Sequence, residues 1–152
     1  MIAGDGDRCR CTGSSDPPRA PIFDLVQEVR PIVLVIDDDA EFGELISVII
    51  EDAGCRAIVA LDGMFGLGLA SDVSPALILC DNSMPGISGE DVLRLLQDDP
   101  ALADVPRVLM SGFGCPDLRT VPADAFIAKP INTQSLRRLV RAFTRSHASW
   151  LR

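Results

Sequence analysis

Four short polar stretches close four apolar runs: Ile36-Asp37-Asp38-Asp39, Cys80-Asp81-Asn82-Ser83-Met84-Pro85, Met110-Ser111-Gly112 and Ala128-Lys129-Pro130. Together they offer several carboxylates, serine hydroxyls and one ammonium. Carboxylates crowded together repel, and one of them takes up a proton unless a cation intervenes. A hard divalent cation, Mg2+ or Mn2+, removes the conflict because it prefers oxygen ligands. A carboxylate can also attack phosphorus to form an acyl phosphate. Phosphoryl transfer needs mainly positioning and charge stabilisation. The set therefore suits an aspartyl phosphate held by a divalent cation.

The elements that must position these groups read as alternating strands and helices. Ile32 to Ile36 is a continuous apolar run, as expected of a parallel strand buried on both faces. Phe42, Leu45, Ile46, Ile49 and Ala53 follow at helical spacing. Gly54 stands where a left-handed cap would end that helix. Ala57 to Leu61 reads as the second strand, Asp62 to Asp72 as a weak helix diluted by glycine, and Ala76 to Cys80 as the third strand. Ser88 and Asp91 resemble a capping box ahead of Val92, Leu95 and Leu96. Val105 to Met110 and Ala125 to Ala128 read as the fourth and fifth strands. Asn132 or Thr133 caps a last helix carrying Leu136, Leu139, Val140 and Phe143. Right-handed crossovers put helices on both faces of one parallel sheet. The expected fold is α/β, flavodoxin-like and doubly wound, with strand order 2-1-3-4-5. Its ligand crevice lies at the switch point between strands one and three. Asp37, Asp38 and Asp81 fall at that point. Gly63 to Gly68 resembles a nucleotide loop only loosely; it does not follow the first strand, and Asp62-Gly63 reads as a helix entry.

The bulk numbers agree with one domain. The chain has 152 residues, 47 % of them hydrophobic, and a formal net charge of −8. That balance argues against nonspecific binding to nucleic acid. Arg137, Arg138 and Arg141 make a local basic patch, read as a solvated face. No apolar stretch approaches the roughly 20 residues needed to span a bilayer, and the N-terminus lacks an apolar signal core. The five cysteines are scattered, and a reducing, cytoplasmic setting is expected. Cys9-Arg10-Cys11 lacks a second ligand pair for a metal. Residues 1–30 are rich in Gly, Ser and Pro and read as a disordered extension, with Phe23 to Val29 as a short docking segment at most. The expected organisation is a domain over 31–146, a tail over 147–152, and no output domain.

Taken singly, each polar stretch has a plainer reading: a helix cap, a turn, an incidental Lys-Pro. Their conjunction in this order is specific. An acidic pair, then Asp81-x-x-Met84-Pro85-Gly86-x-x-Gly89, then Ser111-Gly112, then Lys129-Pro130 resembles the receiver domain of two-component response regulators over about residues 32–145. The resemblance implies Asp81 as phosphoacceptor, accepting a phosphoryl group from a phosphohistidine on a histidine kinase or histidine phosphotransfer protein. It implies a metal held by Asp37, Asp38, Asp81 and the backbone carbonyl of Ser83, with Asp38 direct and Asp37 largely through water. Lys129, Ser111 and Gly112 would meet the phosphoryl oxygens. Ser111 and Phe126 would form the switch, and Lys129-Pro130 would be a cis peptide. Output would pass to a protein target through the face of the fourth helix, fifth strand and last helix. No DNA, RNA or membrane partner is expected, and a homodimer stays open. The domain would not be an enzyme beyond self-phosphorylation and slow autodephosphorylation.

The family pattern also has departures here. The Ser111–Lys129 interval is short for the family and holds Gly114, Pro116 and Pro122, so the fourth helix should be shortened to a turn or missing. That change is expected to alter partner choice or dimerisation rather than phosphorylation. Ser83 and Phe113 occupy positions that tune phosphate lifetime in the family. Two other readings remain. A haloacid-dehalogenase-like phosphatase uses similar groups but needs Asp-x-Asp-x-Thr on strand one, and Asp37-Asp38-Asp39-Ala40-Glu41 lacks the Thr. A degenerate receiver would serve as a constitutive binding module.

Overall fold

The structure is a computed structural model and describes residues 29–148. The Cys9-Arg10-Cys11 motif, nearly all of the expected extension and the end of the expected tail lie outside these residues. Five strands form one sheet: β1 (Ile32–Ile36), β2 (Arg56–Ala60), β3 (Leu77–Asp81), β4 (Arg107–Ser111) and β5 (Ala125–Ala128). All pairings are parallel, in the order β2-β1-β3-β4-β5. Four helices accompany them: α1 (Ala40–Asp52), α2 (Gly63–Val73), α3 (Gly89–Asp98) and α4 (Thr133–Ala148). This is the doubly wound architecture anticipated above.

Side-chain alternation along the central strands builds two core layers. Val33, Val35, Leu79, Val108 and Met110 face one way, against Ile46 and Ile50 of α1 and Leu136 and Val140 of α4. Leu34, Ile36, Ile78, Cys80 and Leu109 face the other way, against Ala70 of α2 and Val92, Leu93 and Leu96 of α3. Each fully buried Leu or Ile contributes about 1.5–3 kcal/mol. Two covered faces explain why β3 and β4 are buried throughout and why Leu77–Cys80 and Val108–Met110 within them are continuously apolar.

Local signals set the helix ends. The Asp39 side chain accepts from the Phe42 amide at the start of α1, and Asp62 accepts from the Phe65 amide at the start of α2. That cap starts α2 despite its glycines. Ser88 caps α3 by accepting from the Asp91 amide, and its hydroxyl donates to the Asp91 carboxylate, so the two residues of the expected box meet side chain to side chain. Asn132, rather than Thr133, caps α4 by accepting from the Ser135 amide. Gly54 follows α1 with φ +91°.

Strand edges moved by a residue or two. The second strand begins at Arg56, which pairs with Ile32, and the third and fourth run on to Asp81 and Ser111. Ladder pairing, not apolarity, decides where a strand stops. No helix lies between β4 and β5. One turn at 117–120, closed by the Thr120 amide on the Asp117 carbonyl, replaces it. The second face of the sheet therefore carries α2, α3 and a loop whose Val121 and Ala123 cover the core. Among the described residues, no helix is long and apolar enough to cross a membrane.

Candidate functional site

The carboxyl ends of β1, β3, β4 and β5 converge at one edge of the sheet. Asp37 follows β1 and is 1 % exposed; Asp81 ends β3 and is also buried; Asp38 is exposed. One carboxylate oxygen from each of the three lies within 4.8 Å of the others. Asp39, the third acid of the run, serves differently. It caps α1, and its amide donates to Asp37 Oδ1 at 2.9 Å. The Asp39 backbone amide thus orients the neighbouring acid.

Lys129 arrives from the end of β5. Its ammonium donates to Asp37 Oδ2 and to Asp81 Oδ1, both at 2.8 Å. Its backbone amide donates to the Ser111 carbonyl at 2.9 Å, which ties the ends of β4 and β5 together. The Lys129–Pro130 peptide bond is cis. Ser111 is buried, and its hydroxyl oxygen accepts from the Phe113 amide at 3.0 Å. Gly112 and Phe113 are exposed beside it. Ser83 is exposed, and its amide donates to Asp81 Oδ2 at 3.2 Å. Phe126 lies half-buried against the second core layer, opposite Leu109 of β4.

The turn after β3 depends on Gly89. Its amide donates to the Asn82 carbonyl, and a Cβ there would sit 2.2 Å from the Asp81 carbonyl oxygen. Only glycine lets α3 start this close to the strand end. Asn82 secures the same junction by accepting from the Glu90 amide with its side chain.

Burial raises the Asp37 carboxyl above its ordinary range, and the Lys129 hydrogen bond opposes that shift only in part. Burial pulls the Lys129 ammonium down, but its bonds to Asp37 and Asp81 outweigh this and leave it raised. Three carboxyl groups gathered at one strand edge crowd negative charge there. One ammonium answers part of it. Three convergent oxygens suit a small hard cation.

Sequence reasoning missed one member of the site. The Lys129 ammonium lies 4.0 Å from the centroid of the Phe42 ring. The helical pattern placed Phe42 in the core, and it does pack there. Its position in the first turn after the Asp39 cap was the available signal that it also borders the strand ends.

Comparison with known proteins agrees with the geometry. The family model of the response regulator receiver domain matches residues 33–141. The chain is 32 % identical over 119 residues to the DNA-binding dual master transcriptional regulator RpaA of Synechocystis sp., covering 76 % of this chain and 49 % of that one. It is 32 % identical over 121 residues to the phosphate regulon transcriptional regulatory protein PhoB of Pseudomonas aeruginosa, covering 77 % and 53 %. The chain thus spans about half the length of these relatives. The chemotaxis protein CheY4 of Vibrio cholerae superposes with a TM-score of 0.70 at 22 % identity, over 75 % of this chain and 98 % of that one. By the family match and the shared fold, the chain belongs to the response regulator receiver family, a class of two-component signalling modules.

Proposed function

We propose that this receiver is charged on Asp81 by a phosphohistidine donor in the presence of a divalent cation. One observation carries the reading: oxygens of Asp37, Asp38 and Asp81 converge within 4.8 Å, with Lys129 bonded to the first and last. Asp81 attacks phosphorus, forming an acyl phosphate as the phosphorus–nitrogen bond of the donor breaks. Asp38 and Asp81, with the Ser83 carbonyl, would hold Mg2+ or Mn2+, and Asp37 would hold it largely through water. The metal supplies positive charge to the phosphoryl oxygens. Lys129 turns from Asp81 to a phosphoryl oxygen, and Ser111 donates to another once its hydroxyl turns toward the site. Gly112 leaves the approach open. Movement of Ser111 draws Phe126 inward and changes the surface of residues 112–124, β5 and α4. Such a local charge change biasing a two-state element is a common switch design.

The donor would be a histidine kinase or a histidine phosphotransfer protein, and the reader a protein target at that altered surface. The functional unit would be residues 31–146, working in the cytoplasm. The relatives named as DNA-binding match over about half their length, so that property stays with them.

The decisive experiment is intact mass after incubation with acetyl phosphate and Mg2+, beside Asp81→Asn and a metal-free control. A single phosphoryl adduct that needs both Asp81 and metal supports the reading. A folded, metal-binding protein that takes no adduct, even from a phosphohistidine donor, would be a constitutive binding module instead.

A further inference from the structure

The loop that replaces the fourth helix leaves a cavity of about 520 Å³ beside the end of α3. A cavity of that size suits a small metabolite. Its wall includes Arg107, the first residue of β4, which shares a sheet face with Leu109. Arg107 is only 6 % exposed. Its Nε donates to the Pro122 carbonyl at 3.1 Å, and its backbone amide donates to the Asp124 carboxylate at 2.8 Å. Its Nη1 is buried without a partner. Among the described residues, no carboxylate pairs with this guanidinium. A buried donor left without a partner is costly.

The other arginines around the cavity are already committed. Arg94 pairs with Glu90 and Asp91, and Arg119 pairs with Asp117. Two carboxylates, Asp98 and Asp124, also line the space, and Gln97 adds an amide. The unmet demand is therefore for an acceptor at Arg107, while the two exposed acids can each take a further donor. A multiply charged anion meets repulsion there. A zwitterion or hydroxylated monoacid does not.

We propose that this cavity binds a small organic acid carrying one carboxylate and its own ammonium or hydroxyl donors, the chemistry of a free amino acid or hydroxy acid. The carboxylate meets the guanidinium of Arg107, and the donors meet Asp98 and Asp124. An occupant would join α3 to the segment that runs into β5, and so to Phe126 and Lys129. The proposal is independent of whether Asp81 accepts phosphate.

The test is an amide NMR titration of the full chain without metal. A panel of free amino acids and hydroxy acids is used at millimolar concentration, beside sodium chloride of equal ionic strength. The expected result is saturable shifts for at least one panel member, confined to residue 107, the end of α3 and 118–124, with a raised melting temperature. Arg107→Met should melt no lower than wild type without ligand and should lose both responses. Arg107→Lys, which keeps the charge without the fork, should weaken binding severalfold and serves if the Met variant does not fold. Absence of saturable shifts for every panel member, or an unchanged response in Arg107→Met, overturns the proposal.

Discussion

Lys129, from the last strand, rests its ammonium on the ring of Phe42, from the first helix, 4.0 Å from the centroid. The same ammonium is bonded to Asp37 and Asp81. Two carboxylates fix its direction, and an aromatic face supports it from behind. A cation–π contact is worth about 0.5–1 kcal/mol at an exposed site and about 2 when desolvated. Lys129 is 23 % exposed, between these limits. Phe42→Leu keeps an apolar group but removes the π face, whereas Phe42→Trp keeps it. A double-mutant cycle of Phe42→Leu with Lys129→Met, followed by urea denaturation, is expected to give a coupling of about 1 kcal/mol. Additive losses would show that the ring acts through packing alone.

The acidic cluster predicts a response to metal. Mg2+ should raise the melting temperature, with a gain of about 2.7 kcal/mol when its concentration is a hundred times the dissociation constant. Asp38→Ala should remove most of that gain while leaving the buried core intact, because Asp38 is exposed. Thermal denaturation with and without Mg2+ checks both statements. Equal stabilisation of the two proteins would place the metal elsewhere.

Stability should depend on pH through Asp37. Its folded pKa is raised by burial above the 3.8 of the free group. The folded state therefore holds that proton more tightly than the unfolded state does. The resulting stability is fully present below 3.8 and is lost as pH rises through the folded value. In metal-free solution, wild type should lose stability relative to Asp37→Asn across that window. Lys129 acts at the other end. Its pKa is raised above 10.5, so its contribution disappears only in alkaline solution. Urea midpoints of the two proteins from acid to neutral pH test this, and parallel curves would refute it.

Gly89→Ala should destabilise the fold by about 1–3 kcal/mol, the usual cost of overpacking. The added Cβ meets the backbone carbonyl of Asp81 rather than a movable side chain. Any relaxation must therefore shift the turn that positions Asp81. Loss of metal response should accompany the lower denaturation midpoint.

Much of the fold was legible because local rules and tertiary structure agree. Continuous apolar runs marked the doubly covered strands, and Gly114, Pro116 and Pro122 foretold the missing fourth helix. Asp37, Asp38, Asp81 and Lys129 were legible because strand ends in a parallel sheet share one edge. What escaped were relationships across the sheet. The Phe42–Lys129 contact joins the first helix to the last strand, and no local periodicity encodes it. Arg107 was hidden inside an apolar run. Strand limits shifted because neighbours, not composition, end a ladder.

The order of the strands also has a temporal side. All three acids precede Lys129 in the chain, so they leave the ribosome before the ammonium that bridges two of them. A growing chain that had docked β1 against β3 would gather like charges with no lysine to separate them. The last strand thus closes the sheet and, in the same step, brings to its edge the ammonium that answers part of the charge gathered there.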